Sequence, residues 1–193
     1  MLSRPVVALL LASTALLAIA GCTTGAPDTD STPVVTTPQA DISGEWVVTR
    51  TVVSSTDVTD PLHAVGATSV RYVSVVRDDC ETALCPGTVS SGAAMEAREQ
   101  TDLIQTDGGF GYEFVGTLDC MNTATGGVLV VDGFEYEQTT TFTAVAPDGG
   151  TATTLTGELV YTDTVTPDAV SKGCTRDPST ITVEYSLAAV RAP

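Results

Sequence analysis

The chain has 193 residues, with 24 acidic against 8 basic side chains and a formal net charge of −16. So acidic a chain is repelled by phosphate backbones and anionic lipid surfaces, which speaks against nucleic acid as a partner. A single histidine and five cysteines leave few positions for metal or nucleophile chemistry.

The amino terminus reads as an export signal. Met1 to Arg4 carries one positive charge, and Pro5 to Ala20 is almost wholly apolar. That run is too short to span a membrane, which needs about 20 residues, and it ends in small residues, as secretory signals do. Ile19-Ala20-Gly21-Cys22 resembles the lipobox of bacterial lipoproteins. The resemblance implies a diacylglyceryl group on Cys22, cleavage before it, and a chain held to the extracytoplasmic face of the cell membrane through that lipid. The expected domains are therefore a signal peptide at 1–21, a lipidated linker at 22–40 and a folded domain at 41–193. The linker, TTGAPDTDSTPVVTTPQA after Cys22, is rich in proline and threonine and has little to bury.

The folded part is expected to be all-β. Thr and Val number 33 and 25, and both are β-branched residues that favour strands. In chain order, Gly44-Glu45-Trp46 opens a first strand with Trp46, Val48 and Val52 on one face, followed by a loop over 54–67. A second strand over 68–77 sets Val70, Tyr72, Ser74 and Val76 against Arg71, Val73, Val75 and Arg77. A short strand near 87–91 and a poorer one within 94–105 follow. Strand 110–118 lines up Phe110, Tyr112, Phe114 and Leu118, and Val128–Val131 reads as a separate edge piece. Strand 134–145 opposes Phe134, Tyr136 and Phe142 to Glu135, Glu137 and a row of threonines. Strands 151–161 and 180–190 complete the set. About eight antiparallel strands with short sequential links predict an up-and-down barrel or a meandering sandwich.

Gly44-x-Trp46 at the start of the first strand and Arg191 just after the last are similar to the lipocalin pattern. The resemblance implies that Trp46 packs under Arg191 at the closed end of a barrel that carries a small apolar ligand.

Exported cysteines tend to pair. With Cys22 taken by lipid, Cys80, Cys85, Cys120 and Cys174 remain. Each strand of an up-and-down sheet carries the chain to the opposite end. Two strands separate Cys120 from Cys174, and three separate Cys85 from Cys120. The expected pairs are Cys80–Cys85 and Cys120–Cys174, and the same argument keeps the four from forming one metal site.

No phosphate loop, nucleophile elbow or metal-binding histidine pair is present, and neither metal nor cofactor is expected. His63 near Asp57 and Asp60 allows a Ser-His-Asp site on paper but reads as an exposed loop histidine. Glu96, Glu99, Asp102, Glu135 and Glu137 read as solvated faces. The better candidate is the aromatic face: Trp46, Tyr72, Tyr112, Phe114, Tyr136 and Tyr185, which either fill the core or line a pocket. The expected role is non-enzymatic: an envelope binding or interaction module with an envelope protein or a small apolar ligand as partner.

Overall fold

A computed structural model describes residues 40–77, 86–106, 109–145 and 150–193. Cys22 with its expected lipid, the expected linker up to residue 39 and the expected Cys80–Cys85 pair lie outside these residues. Among the described residues, no helix is long and apolar enough to cross a membrane. The described residues belong to one compact unit that contains the whole sheet.

The strands are β1 (Gly44–Ser55), β2 (Thr68–Arg77), β3 (Gly87–Gly92), β4 (Glu99–Asp102), β5 (Ile104–Thr106), β6 (Gly109–Met121), β7 (Val128–Val145), β8 (Thr154–Val165) and β9 (Thr180–Arg191). One short helix, α1 (Pro167–Ser171), joins β8 to β9. All pairings are antiparallel, in the order β4-β3-β2-β1-β9-β8-β7-β6-β5. The first and last strands pair from Trp46–Arg191 to Ser55–Val183, which brings the ends of the meander together. The two edges, β4 and β5, are consecutive in the chain and separated only by Leu103, whose amide bonds the Gly87 carbonyl. The sheet is thus a nearly closed barrel in which β4 and β5 act as one strand that changes neighbours. Closure leaves little unpaired edge for another chain to extend.

Alternation defines the inner face. Trp46, Val48, Arg50 and Val52 of β1 point inward and are buried, and Val73 and Val75 of β2 meet them at 2% exposure each. Val70 and Val76 are outside, at 45% and 58%, and Tyr72 lies between them on that outer face. This corrects the expectation that Tyr72 belongs to the core side. The outward face, with Val70, Tyr72 and Val76, is the more apolar by composition, and pairing with β1, Trp46 against Val73, turns the face with Arg71, Val73 and Val75 inward instead.

The core fills one end of the barrel, with Trp46, Val48, Val73, Val75, Val89, Phe110, Tyr112, Phe142, Leu155, Leu159 and Leu187 packed together. Phe110 stacks on Phe142 with ring centres 5.5 Å apart. Ile42 caps this end; its carbonyl accepts a 2.9 Å bond from the Trp46 indole Nε1. The segment before β1 is tied down by Asp41 N to Gly150 O (3.0 Å) and Ala152 N to Asp41 O (2.7 Å).

The other end is the mouth, where the β1–β2, β3–β4, β6–β7 and β8–β9 links lie. There Cys120 and Cys174 form the expected disulfide, with Cα atoms 6.2 Å apart. Thr166 caps α1 by accepting the Ala169 amide, and Pro167 starts the helix without needing a donor. The turn sets Ala169 and Cys174 against Cys120, Val130 and Val165 in a second small core.

Several strand boundaries differ from expectation. Val128–Val131 is the start of β7, not a separate piece. Asp132 takes a positive φ of 53° and the chain bulges, so pairing resumes at Phe134–Leu118. Asp132 holds the bulge by accepting Thr117 Oγ1 at 2.6 Å and donating its amide to Asp119 at 3.1 Å. β8 starts at Thr154 rather than 151 and runs on to Val165, because the inward Asp163 has a cation to meet it. Residues 93–98 are a bend, which shortens the expected 94–105 strand to β4 and β5.

Candidate ligand-binding site

Above the packed core, the inner face changes character. A cavity of about 490 Å³ opens in the mouth, walled by Arg50 of β1, Arg71 of β2, Ser91 of β3, Glu99 of β4, Phe114 of β6 and Tyr136 and Gln138 of β7. Gly92, at the end of β3, and Ala93, Ala97 and Arg98 of the 93–98 bend form its rim. These side chains come from six strands, and only closure of the sheet gathers them. Gly116 stands opposite Tyr136 in the ladder, and a Cβ there would come within 2.8 Å of the tyrosine ring. The missing side chain is what lets that ring lie across β6.

Arg50 is the unusual group. It is 7% exposed, and its Nε has no hydrogen-bond partner. Burial pushes its pKa below the ordinary arginine value; Tyr112 opposes that shift, and the neighbouring charge of Arg71 adds to it. Among the described residues, neither Arg50 nor Arg71 forms an ion pair, whereas Arg98 pairs with Glu45 at 2.7 Å and Arg176 with Asp163 at 2.8 Å. Glu99, the carboxylate of the cavity wall, accepts a 3.3 Å bond from the Tyr136 hydroxyl. Burial, and then that carboxylate, raise the Tyr136 pKa.

Beside the cavity the polar layer continues. Tyr161 stacks on Tyr136 with centres 6.2 Å apart, and Arg176 lies 4.7 Å over the Phe134 ring while bonding Asp163. Burial raises the Tyr161 pKa, and the nearby Asp163 raises it further.

Of the six candidate aromatics, Phe114 and Tyr136 line the cavity. Trp46 and Tyr112 are buried in the packed core, so filling and lining are both realised at different heights of the barrel. Tyr185 is partly buried on the inner wall, packed against the core, and its pKa is raised by burial, with Arg50 opposing. Tyr72 is outside. The two arginines were missed as candidates, although the period-2 alternation through Trp46, Val48 and Val52 already places Arg50 on their face.

The His63 region is built differently. His63 ends a single 3-10 turn, Pro61–His63, capped by Asp60. Its Nδ1 lies 2.8 Å from Asp57 Oδ2, and its side chain is 19% exposed, so it is a docked rather than a free loop histidine. The other Asp57 oxygen accepts the Thr59 amide and hydroxyl and the Asp60 amide. Burial works to raise the Asp57 pKa, but these hydrogen bonds outweigh it and hold the carboxyl far below its usual range. Asp57, Asp60 and His63 offer ligand atoms within 4.8 Å of one another, yet the Asp57 oxygens already serve the loop. Among the described residues, the structure records no hydroxyl bonding the remaining ring nitrogen. A wider depression of about 620 Å³ crosses β6, β7 and β8; its charged lining groups are the carboxylates Glu113 and Glu158.

Comparison with protein-family models, with curated proteins and with solved structures finds no match for this chain.

Proposed function

We propose that the chain is an exported lipoprotein, held to the cell membrane through Cys22, whose barrel is a non-enzymatic module binding a small ligand in its mouth. The cavity of about 490 Å³ over a filled core carries this reading. Pockets of this size suit small organic ligands, and convergent polar groups fix their orientation. The Trp46–Arg191 stack at the opposite end supports a lipocalin-like arrangement. Changing Cys22 to Ala should release the protein from membranes; retention of that variant overturns the anchor. Residues 36–193, purified without detergent, should show extra mass in native mass spectrometry that is lost on denaturation. A bare chain that also refuses added hydrophobic probes overturns the ligand reading.

A second reading, a protein-docking face at the same end, is favoured by Val58, Leu62 and Val65 of the β1–β2 link, which are 88%, 72% and 71% exposed. Joint replacement of these three by Ser should then abolish co-purification of an envelope partner and leave the barrel folded.

A further inference from the structure

We infer that the ligand of this cavity is a small organic anion, bound with its negative group between Arg50 and Arg71 and its apolar part against Phe114 and Tyr136. The inference rests on the ligand-binding reading above and adds the chemical class.

Placement is the first argument. In a chain of net charge −16 with 8 basic residues, three arginines line the same cavity, and two of them, Arg50 and Arg71, have no ion-pair partner among the described residues. Arg50 pairs with Ser69 and Arg71 with Val48, so they are diagonal neighbours on adjacent strands of the inner face. Diagonal neighbours are within reach of long side chains, and two like charges there repel. A structure that keeps them together, with one 7% exposed, is arranged for a counter-charge.

The second argument is the unmet hydrogen-bond capacity. A guanidinium carries five donors in a planar fork suited to oxyanions. Arg50 Nε is buried with no acceptor, and neither arginine has a carboxylate partner among the described residues. An unpaired buried charge is costly, and an anion that desolvates with it offsets the cost. Arg98 and Arg176 also have an unpartnered Nε, but each has a carboxylate, Glu45 and Asp163, and Arg191 donates to three carbonyls; Arg50 has no such counter-charge.

Glu99 sets a limit. It is the carboxylate on the wall; of the three lining arginines Arg98 is already paired with Glu45 at 2.7 Å, so Arg50 and Arg71 against Glu99 leave a net charge of +1. That suits one anionic group and disfavours a second. Phe114 and Tyr136 supply apolar and aromatic surface beside it.

Two probes with one skeleton test this: 8-anilino-1-naphthalenesulfonate, an anion, and N-phenyl-1-naphthylamine, its neutral counterpart. Residues 36–193 should bind one sulfonate per chain at least ~10-fold more tightly than the neutral probe, about 1.4 kcal/mol. Arg50→Met should remove that preference and keep the neutral probe bound, which also shows that the barrel has folded. Arg71→Met, at a less buried site, should weaken the sulfonate in the same direction and serves if Arg50→Met does not fold. Equal binding of both probes, or a preference untouched by either variant, overturns the anion and leaves the cavity reading standing. Binding of neither probe overturns both.

Discussion

Arg191 lies over the indole of Trp46, with the guanidinium carbon 4.7 Å from the ring centre, and joins the last strand to the first. The same guanidinium donates to the carbonyls of Ala152 (2.7 Å), Ser43 (2.7 Å) and Asp41 (3.3 Å). One side chain thus covers the packed end of the barrel and pins the segment that enters β1. Gly44 makes room for it: its φ is +120°, and a Cβ would lie 2.8 Å from Arg191 Nη1.

Arg191→Ala should therefore cost about 2–4 kcal/mol, combining loss of a cation–π contact with charged hydrogen bonds to backbone carbonyls. Arg191→Lys should restore less than half, since an ammonium neither stacks nor forks. Urea unfolding monitored by Trp46 fluorescence measures both; a lysine variant as stable as the parent contradicts this account.

The Cys120–Cys174 bridge closes a separation of 54 residues. Loop-entropy arguments give about 4 kcal/mol for such a span. The Cys120→Ser, Cys174→Ser double variant should lose stability of that order and expose the short helix to proteolysis first, because Ala169 and Cys174 share one small core with Cys120. Equal protease resistance in the two proteins would contradict the stapling role.

Asp57 makes stability depend on pH in a defined direction. Its folded pKa lies below the unfolded value of about 3.9. The unfolded chain therefore takes up the proton first as pH falls. Asp57's contribution is complete above the unfolded value and is lost as pH drops through the folded one. Asp57→Asn should be less stable than the parent by about 1–3 kcal/mol at pH 7, with the gap narrowing below pH 4. A gap that stays constant down to pH 2 would show that the carboxylate's charge is irrelevant.

Gly116→Ala should disturb the cavity more than the fold. The new Cβ would press on the Tyr136 ring, whose hydroxyl bonds Glu99. A ring on an inner wall beside open space can swing, so the stability loss should stay near 1–2 kcal/mol. Probe affinity in the mouth should fall at least ~5-fold. Unchanged affinity would mean that Tyr136 is not part of the binding wall.

Much of the architecture was legible locally. Period-2 alternation and Gly/Asp-rich links marked the strands of the sheet, and counting strands between Cys120 and Cys174 placed both at one end. The same alternation put Trp46, Tyr112, Phe142 and Leu159 inside, because on those strands one face is clearly more apolar. Where local chemistry was balanced or misleading, the reading failed. On β2 the more apolar face, with Val70, Tyr72 and Val76, is the outer one and the inner face carries Arg71, so Tyr72 was turned the wrong way. Asp132-Gly133 resembles a turn, yet it sits in a bulge inside β7, stabilised by side chains of β6.

The amino-acid sequence by itself determined the strand pattern, the all-β class and the end at which Cys120 and Cys174 meet, since these depend on neighbours a few residues apart and on parity. Only the tertiary structure decided that Arg50 and Arg71 share a cavity with Phe114 and Tyr136. Those groups lie on strands far apart in the chain, and they converge because β9 pairs with β1 and the sheet curves back on itself.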